Sequence, residues 1–334
     1  MSSETVNNTY TVTGGTILAF GDLHLSAVYT GSHKNYVYEC YHNMNRIEEI
    51  CEEENPSCIF FLGDIMGVNE RTIKDHRFLM RVVEFFEKLN KRTNNNVYAV
   101  KGNHDISDFS DFDFLLGLRL IKNPRYVDYV IDGHAQARFH IVNYGKEREP
   151  LAITSEEEDA SNVVFGHNNY YISGVTNWYS ASGAIEISSL RNMKYVDLII
   201  SGHIHNPSAE MLYANIEDQS VGIFYVGSPS RVQERIKDCW YATFAYDDTE
   251  DVTNYNVKYF GLVPLEEAFY EEEEPKTEEE QVEEEKRIRL EEMVKEIIES
   301  RLTGGNLYNQ IDSVPGFSDT ARALAKEYLT QADN

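Results

Sequence analysis

Five short segments of this 334-residue chain carry side chains suited to holding metal ions. They are Asp22-Leu23-His24, Gly63-Asp64, Gly102-Asn103-His104-Asp105, Gly166-His167 and Gly202-His203-Ile204-His205. Together they supply three carboxylates, one amide and five imidazoles. Imidazole favours Mn, Fe, Co, Ni or Zn over Ca and Mg, while the oxygen donors keep such a site hard enough for Mn. Two divalent metals held about 3.5–4 Å apart can clamp a phosphate and generate hydroxide at neutral pH, and a carboxylate is the natural bridge between them. Each segment alone is weak evidence, because a lone histidine in an apolar strand is more often a hydrogen-bonded core residue. The force of the pattern lies in all five occurring in order, each behind an apolar run.

Those runs are the elements that must position the donors. Thr16–Phe20, Cys58–Leu62 and Val97–Val100 read as strands, separated by helical spacing over Tyr36–Cys51 and Phe78–Leu89. That alternation predicts an α/β sheet with parallel neighbours, in which ligands bind past the carboxyl ends of the strands. Further strands are predicted at Val127–Ile131, Ala137–Val142, Asn162–Phe165, Val196–Ile200, Val221–Val226, Trp240–Tyr246 and Val257–Phe260. They form a second sheet packed on the first.

The motif set resembles the calcineurin-like metallophosphoesterase superfamily over about residues 16 to 230. Within it the chain is most similar to the nuclease subunit of the SbcCD-type recombination complex, in its compact phage-type form. Three features carry that likeness: Asp105 ends the third motif, Tyr225-Val226-Gly227-Ser228-Pro229 follows the histidine pair, and a helical tail closes the chain. The resemblance implies a four-layer α-β-β-α sandwich of two packed β-sheets flanked by helices. It implies two divalent metals, Mn first with Fe, Zn or Mg as alternatives. Asp22, His24 and His205 would hold one, Asn103, His167 and His203 the other, and Asp64 would bridge. His104 would contact the phosphate and protonate the departing oxygen, with Asp105 orienting it. The implied activity is hydrolysis of DNA phosphodiesters, as exo- or endonuclease, in recombination and repair. The implied partners are DNA, a coiled-coil ATPase bound through the tail, and a second copy of the chain. Two departures stand out: Gly67 occupies a position where the cellular nucleases often carry histidine or aspartate, and the short stretch between the second sheet and the tail leads us to expect a DNA-capping domain that is absent or reduced.

Composition bounds these readings. Thirty Lys and Arg against 56 Asp and Glu leave a net charge of −26, which excludes gripping nucleic acid through a broad basic surface. A narrow site on a phosphodiester remains compatible, since bound metal supplies positive charge. Cys40, Cys51, Cys58 and Cys239 form no C-x-x-C pair and read as reduced thiols of a cytoplasmic protein. The N-terminus lacks a signal-peptide pattern, and no apolar run approaches the roughly 20 residues of a membrane span.

The expected organisation is a metallophosphoesterase domain over 1–265, an acidic linker over 266–286 and a helical, partner-binding tail over 287–334. Residues 266–300 hold sixteen Glu against five Lys or Arg. Behind them Leu290, Met293, Val294, Ile297, Ile298 and Leu302 recur at helical spacing. The competing function is a small-molecule or nucleotide phosphodiesterase or phosphatase of the same superfamily. A decayed, non-catalytic module ranks last, because all seven expected metal ligands are present.

Overall fold

In the computed structural model the described residues are 10–27, 35–67, 75–105, 111–153, 160–172, 184–208, 210–231, 238–250 and 252–264. The chain divides into a first unit, Met1–Tyr270, and a second, Glu271–Asn334. The expected linker and helical tail lie outside the described residues.

Along the chain run β1 (Tyr10–Thr13), β2 (Thr16–Phe20), α1 (Tyr36–Glu54), β3 (Pro56–Phe61), α2 (His76–Arg92), β4 (Val97–Ala99) and α3 (Asp111–Gly117). Then come β5 (Tyr126–Ile131), β6 (His134–Val142), β7 (Ser161–His167), β8 (Tyr170–Tyr171), β9 (Ile185–Glu186) and β10 (Leu198–Gly202). The series closes with β11 (Leu212–Ile216), β12 (Gln219–Tyr225), β13 (Trp240–Asp247) and β14 (Val252–Tyr259). One sheet has the order β14-β13-β2-β3-β4, the other β1-β5-β6-β7-β10-β12-β11, and β8 and β9 form a small ribbon. β2, β3 and β4 are parallel neighbours, as are β6, β7, β10 and β12.

Strand alternation assigns the layers. From β2 and β3, Ile17, Ala19, Cys58 and Phe60 face the other sheet, while Leu18, Phe20, Ile59 and Phe61 face the helices. Phe60 sits at the centre of the inter-sheet core, its ring 4.5 to 5.5 Å from those of Tyr98, Phe139 and Phe165. Truncating such a side chain costs about 3–5 kcal/mol, so this aromatic cluster is what locks the two sheets together.

α1 buries Tyr36, Cys40, Met44, Ile47 and Cys51 at three- and four-residue spacing, and stops where Asn55 turns left-handed (φ 46°) and caps the Cys51 carbonyl. Pro56 then opens β3, and at the first residue of a strand its missing N–H is tolerated. α2 starts at Asp75, whose carboxylate accepts from the amides of Arg77 and Phe78, and ends on Lys91 and Arg92. It buries Phe78, Val82, Phe85, Phe86 and Leu89.

The outer face of the larger sheet buries Val164, Ile199, Val221 and Ile223 against Ile187, Leu190 and Met193. Among the described residues, that fourth layer is built of 3-10 turns (Ile187–Ser189 and Arg191–Met193) rather than long helices. The mixed α/β architecture of packed sheets is otherwise the expected one, except that β13 and β14, expected in the second sheet, extend the first by pairing antiparallel on the free side of β2. All four cysteines are free and buried, and burial pushes the thiols of Cys40 and Cys51 up to about 12.

Candidate metal centre

The site lies where the carboxyl ends of both sheets meet. The smaller sheet delivers Asp22 and His24 after β2, Asp64 after β3, and Asn103 and His104 after β4. The larger sheet delivers His167, the last residue of β7, and His203 and His205 after β10. His167 thus ends its strand rather than following it.

Two donor groups result, each needing both sheets. In the first, His24 Nε2 and His205 Nε2 are 3.1 Å apart. In the second, Asn103 Oδ1 lies 3.0 Å from His167 Nε2 and 2.9 Å from His203 Nδ1. Asp64 joins them: its Oδ2 is 3.1 Å from His167 Nε2, 3.9 Å from His24 Nε2 and 3.8 Å from His104 Nε2. Asp22 sits against the second group, with Oδ1 3.0 Å from His167 Nδ1, and acts on His24 and His205 through its charge. Asp22, Asp64 and His167 offer ligand atoms that all lie within 4.8 Å of one another.

The backbone bends sharply to make this. His24 (φ 44°), Asp64 (φ 45°) and His203 (φ 74°) are left-handed, a conformation that costs a side-chain-bearing residue about 1–2 kcal/mol. The amides released by these turns hold the carboxylates: His203 N donates to both oxygens of Asp22 (3.1 and 2.9 Å), and His104 N to Asp64 Oδ1 (2.9 Å). Gly63, at φ 97°, leaves room for His167; a Cβ there would collide with its ring.

Electrostatics matches a site built for cations. Asp22 and Asp64 are almost fully buried, which by itself raises a carboxyl pKa, yet His167 pulls both below the usual range. Burial opposes charge on His167, but Asp64 and Asp22 overcome it and push the imidazole well up. Burial holds His24 at about 4 despite Asp64, and it lowers His203. Lone pairs of Asp64 and Asn103 therefore face His167 Nε2, and Asn103 Oδ1 also faces His203 Nδ1, with few protons to share. That donor set fits a divalent metal, which would displace the His167 proton.

Asp105 departs from its expected part. Its Oδ2 accepts from Gly102 N at 2.9 Å and the Asp64 backbone also bonds it, while its buried Oδ1 has no hydrogen-bond partner among the described residues. Burial, then the charge of Asp64, raise it to about 7. It shapes the loop carrying Asn103 and His104 rather than orienting the imidazole. His104 has a third of its side chain in water.

Supports that motif spacing did not name are now visible. His167 Nδ1 lies 2.7 Å from the Leu62 carbonyl. Ser228 Oγ is 2.7 Å from the carbonyl of Asp22, and Ser230 Oγ bonds the carbonyl of Leu23. Tyr225-Val226-Gly227-Ser228-Pro229 therefore clamps the first metal loop. The position of Ser228 behind the histidine pair is the sequence signal that pointed there. His140, outside the donor set, is buried in β6 with Nε2 3.0 Å from Asn162 Oδ1.

The calcineurin-like phosphoesterase family model matches residues 15–207, more than half of the chain and all of the donors. The chain belongs to the calcineurin-like phosphoesterase family. No curated protein matches it. Among solved structures it is similar to the calcineurin-like phosphoesterase YfkN of Bacillus subtilis, at 13% identity over 76% of this chain and 93% of that one, with a TM-score of 0.42. It is also similar to a dimetal phosphatase from Danio rerio, at 14% identity over 74% and 97%, with a TM-score of 0.46. As a calcineurin-like phosphoesterase the protein is a hydrolase of phosphoester bonds, and its family uses a dinuclear site of divalent metals. Among the described residues, no helix is long and apolar enough to cross a membrane.

Proposed function

We propose that this phosphoesterase is a metal-dependent DNA nuclease, working in recombination and repair as the subunit of a coiled-coil ATPase that docks on residues 287–334. The observation that carries phosphodiester hydrolysis is Asp64, whose Oδ2 faces His24, His104 and His167 within 3.9 Å. The choice of DNA rests on the resemblance of the motif set, including the Gly-Ser-Pro segment behind His205.

In this reading Asp22, His24, His205, Asn103, His167, His203 and Asp64 hold two divalent metals, Mn foremost. Bound there, the metals supply Lewis acidity toward the phosphate and lower the pKa of water to near neutrality. The chain does the rest. Asn103 and His203 fix one side of the phosphate pocket, and His24 and His205 the other. His104 stands partly in solvent and passes a proton to the departing oxygen. Asp105 keeps the His104 loop in register.

The test is cleavage of single- and double-stranded DNA by the purified, Mn-loaded chain, alone and with its co-purified ATPase. Cleavage that rises with the partner, and co-elution lost on deleting residues 283–334, support the proposal. Turnover of nucleotides or small phosphodiesters with no DNA cleavage overturns it. That outcome would select the small-molecule phosphodiesterase reading, which the charge of −26 favours.

A further inference from the structure

Aromatic residues flank the row of strand ends that carries the metal centre, Tyr144 through its ring and Trp240 through the place of its backbone in the strand order. On one side stands Tyr144, just past β6. Its amide donates to the Lys101 carbonyl at 2.9 Å, and the preceding Asn143 accepts from Lys101 N at 2.8 Å. Asn143 also exchanges two hydrogen bonds with Asn123, and buried Glu147 accepts from Gly145 N at 2.8 Å. The loop is thus pinned on both sides of the tyrosine. The half-buried Tyr144 ring lies 6.0 Å from that of His203 and 6.4 Å from that of His167.

On the other side stand Trp240 and Tyr259, register partners on β13 and β14 whose rings meet edge-on at 5.7 Å. Trp240 lies at the site end of its strand. Its neighbour Tyr241 pairs with Phe20, the last residue before the Gly21-Asp22 turn. Trp240 N donates to the Val226 carbonyl, and two residues on, Ser228 N donates to the carbonyl of His205. A cross-strand aromatic pair of this kind stabilises the sheet, and its exposed ring face also remains open to a ligand. Tyr259 keeps 50% of its surface exposed.

The ends of β6 and β12 are three strands apart, about 14 Å at ordinary strand spacing, and the donors lie between them. A phosphate held in the middle would carry its neighbouring nucleosides toward the two aromatic stations. With a net charge of −26 the chain has no broad basic surface on which to hold a polynucleotide by its phosphates, whereas stacking on neutral rings needs no positive charge.

We propose that Tyr144 and the Trp240–Tyr259 pair are stacking stations for unpaired bases flanking the scissile phosphate. This rests on the nuclease reading. It adds that base contacts rather than charge set affinity, and that the bases must be free of a duplex.

The experiment is steady-state cleavage of an oligothymidylate and of a small phosphodiester by the full, Mn-loaded chain. Tyr144→Leu and Tyr259→Leu should each raise KM for the oligonucleotide roughly ten-fold while moving kcat less than about three-fold, the scale of one lost base stack. Tyr144→Phe and Tyr259→Phe should restore the KM. If the wild type cuts the oligonucleotide and the Leu variants match its KM, or the Phe variants are as impaired as the Leu variants, the inference falls and the nuclease reading stands. If the wild type turns over the small diester but leaves the oligonucleotide intact, both fall together.

Discussion

His167 Nδ1 lies 2.7 Å from the carbonyl oxygen of Leu62, and so its proton is committed there. Nε2 is thereby left to face Asp64 and Asn103. Because the carboxylates of Asp64 and Asp22 hold the imidazole pKa well up against its burial, metal loading must expel a proton. Metal affinity should therefore weaken as pH falls and strengthen as it rises. Calorimetry of Mn binding in buffers of different ionisation enthalpy should show net proton release. His167→Ala should lose one of the two metals. Proton-independent binding would contradict this account.

The His104 imidazole stands back from the donors, its Nε2 3.8 Å from Asp64 Oδ2, and keeps a third of its side chain in water. His104→Asn should keep both metals while turnover of an alkyl-leaving-group diester drops by about 10²–10⁴. With a nitrophenolate leaving group, which needs no protonation, the loss should be much smaller. Metal analysis beside kinetics on the two substrates measures the split. Equal losses on both would remove the proton-donor role.

A Cβ on Gly102 would fall against Asp64 Oδ1 and the Asp64 amide. Gly102→Ala should therefore displace the carboxylate that joins the two groups. Metal affinity should fall by roughly 10–100-fold, the usual cost of disturbing the support of a ligand. Titration of the variant with Mn checks this, and wild-type affinity would show that the loop yields without moving Asp64.

Arg231 and Glu39 form an ion pair at 2.8 Å with both side chains buried, and Arg231 also donates to the Val263 carbonyl. Removing one charge should cost about 3–5 kcal/mol, while exchanging both for apolar residues of similar size should recover most of it. Urea melts of Arg231→Met and of Arg231→Met/Glu39→Leu provide the comparison. Asn43, which bonds Pro229 O at 2.9 Å and Ser230 Oγ at 3.2 Å, ties the same region to α1. The single variant should loosen the Asp22 loop as well.

Much of this protein was legible in its residues. Thr16–Phe20 is a strand with the predicted ends, and the predicted helices at Tyr36–Cys51 and Phe78–Leu89 lie inside α1 and α2. Alternation and three-to-four spacing report which face is buried, and burial is what forms these elements. Short elements escaped. Asp111–Gly117 spans too few residues to display a period, and Leu212–Ile216 exposes Tyr213 and Asn215 along an edge. The identity of the donors was also legible, because chemistry restricts residue type and the glycine turns mark strand ends.

Which atoms meet was decided only by the tertiary structure. His24 and His205 are 181 residues apart, on different sheets, and become neighbours because the Phe60 cluster fixes one sheet on the other. Asp105 looked in sequence like the partner of the adjacent histidine, yet its carboxylate turns to the Gly102 amide. The Leu62 carbonyl carries no chemical signature in a sequence, since any residue offers a carbonyl. Residue type and spacing thus determined what the chain can bind. Packing of two sheets determined the distances, because contacts between remote strand ends are set by the core beneath them and not by the order of residues along the chain.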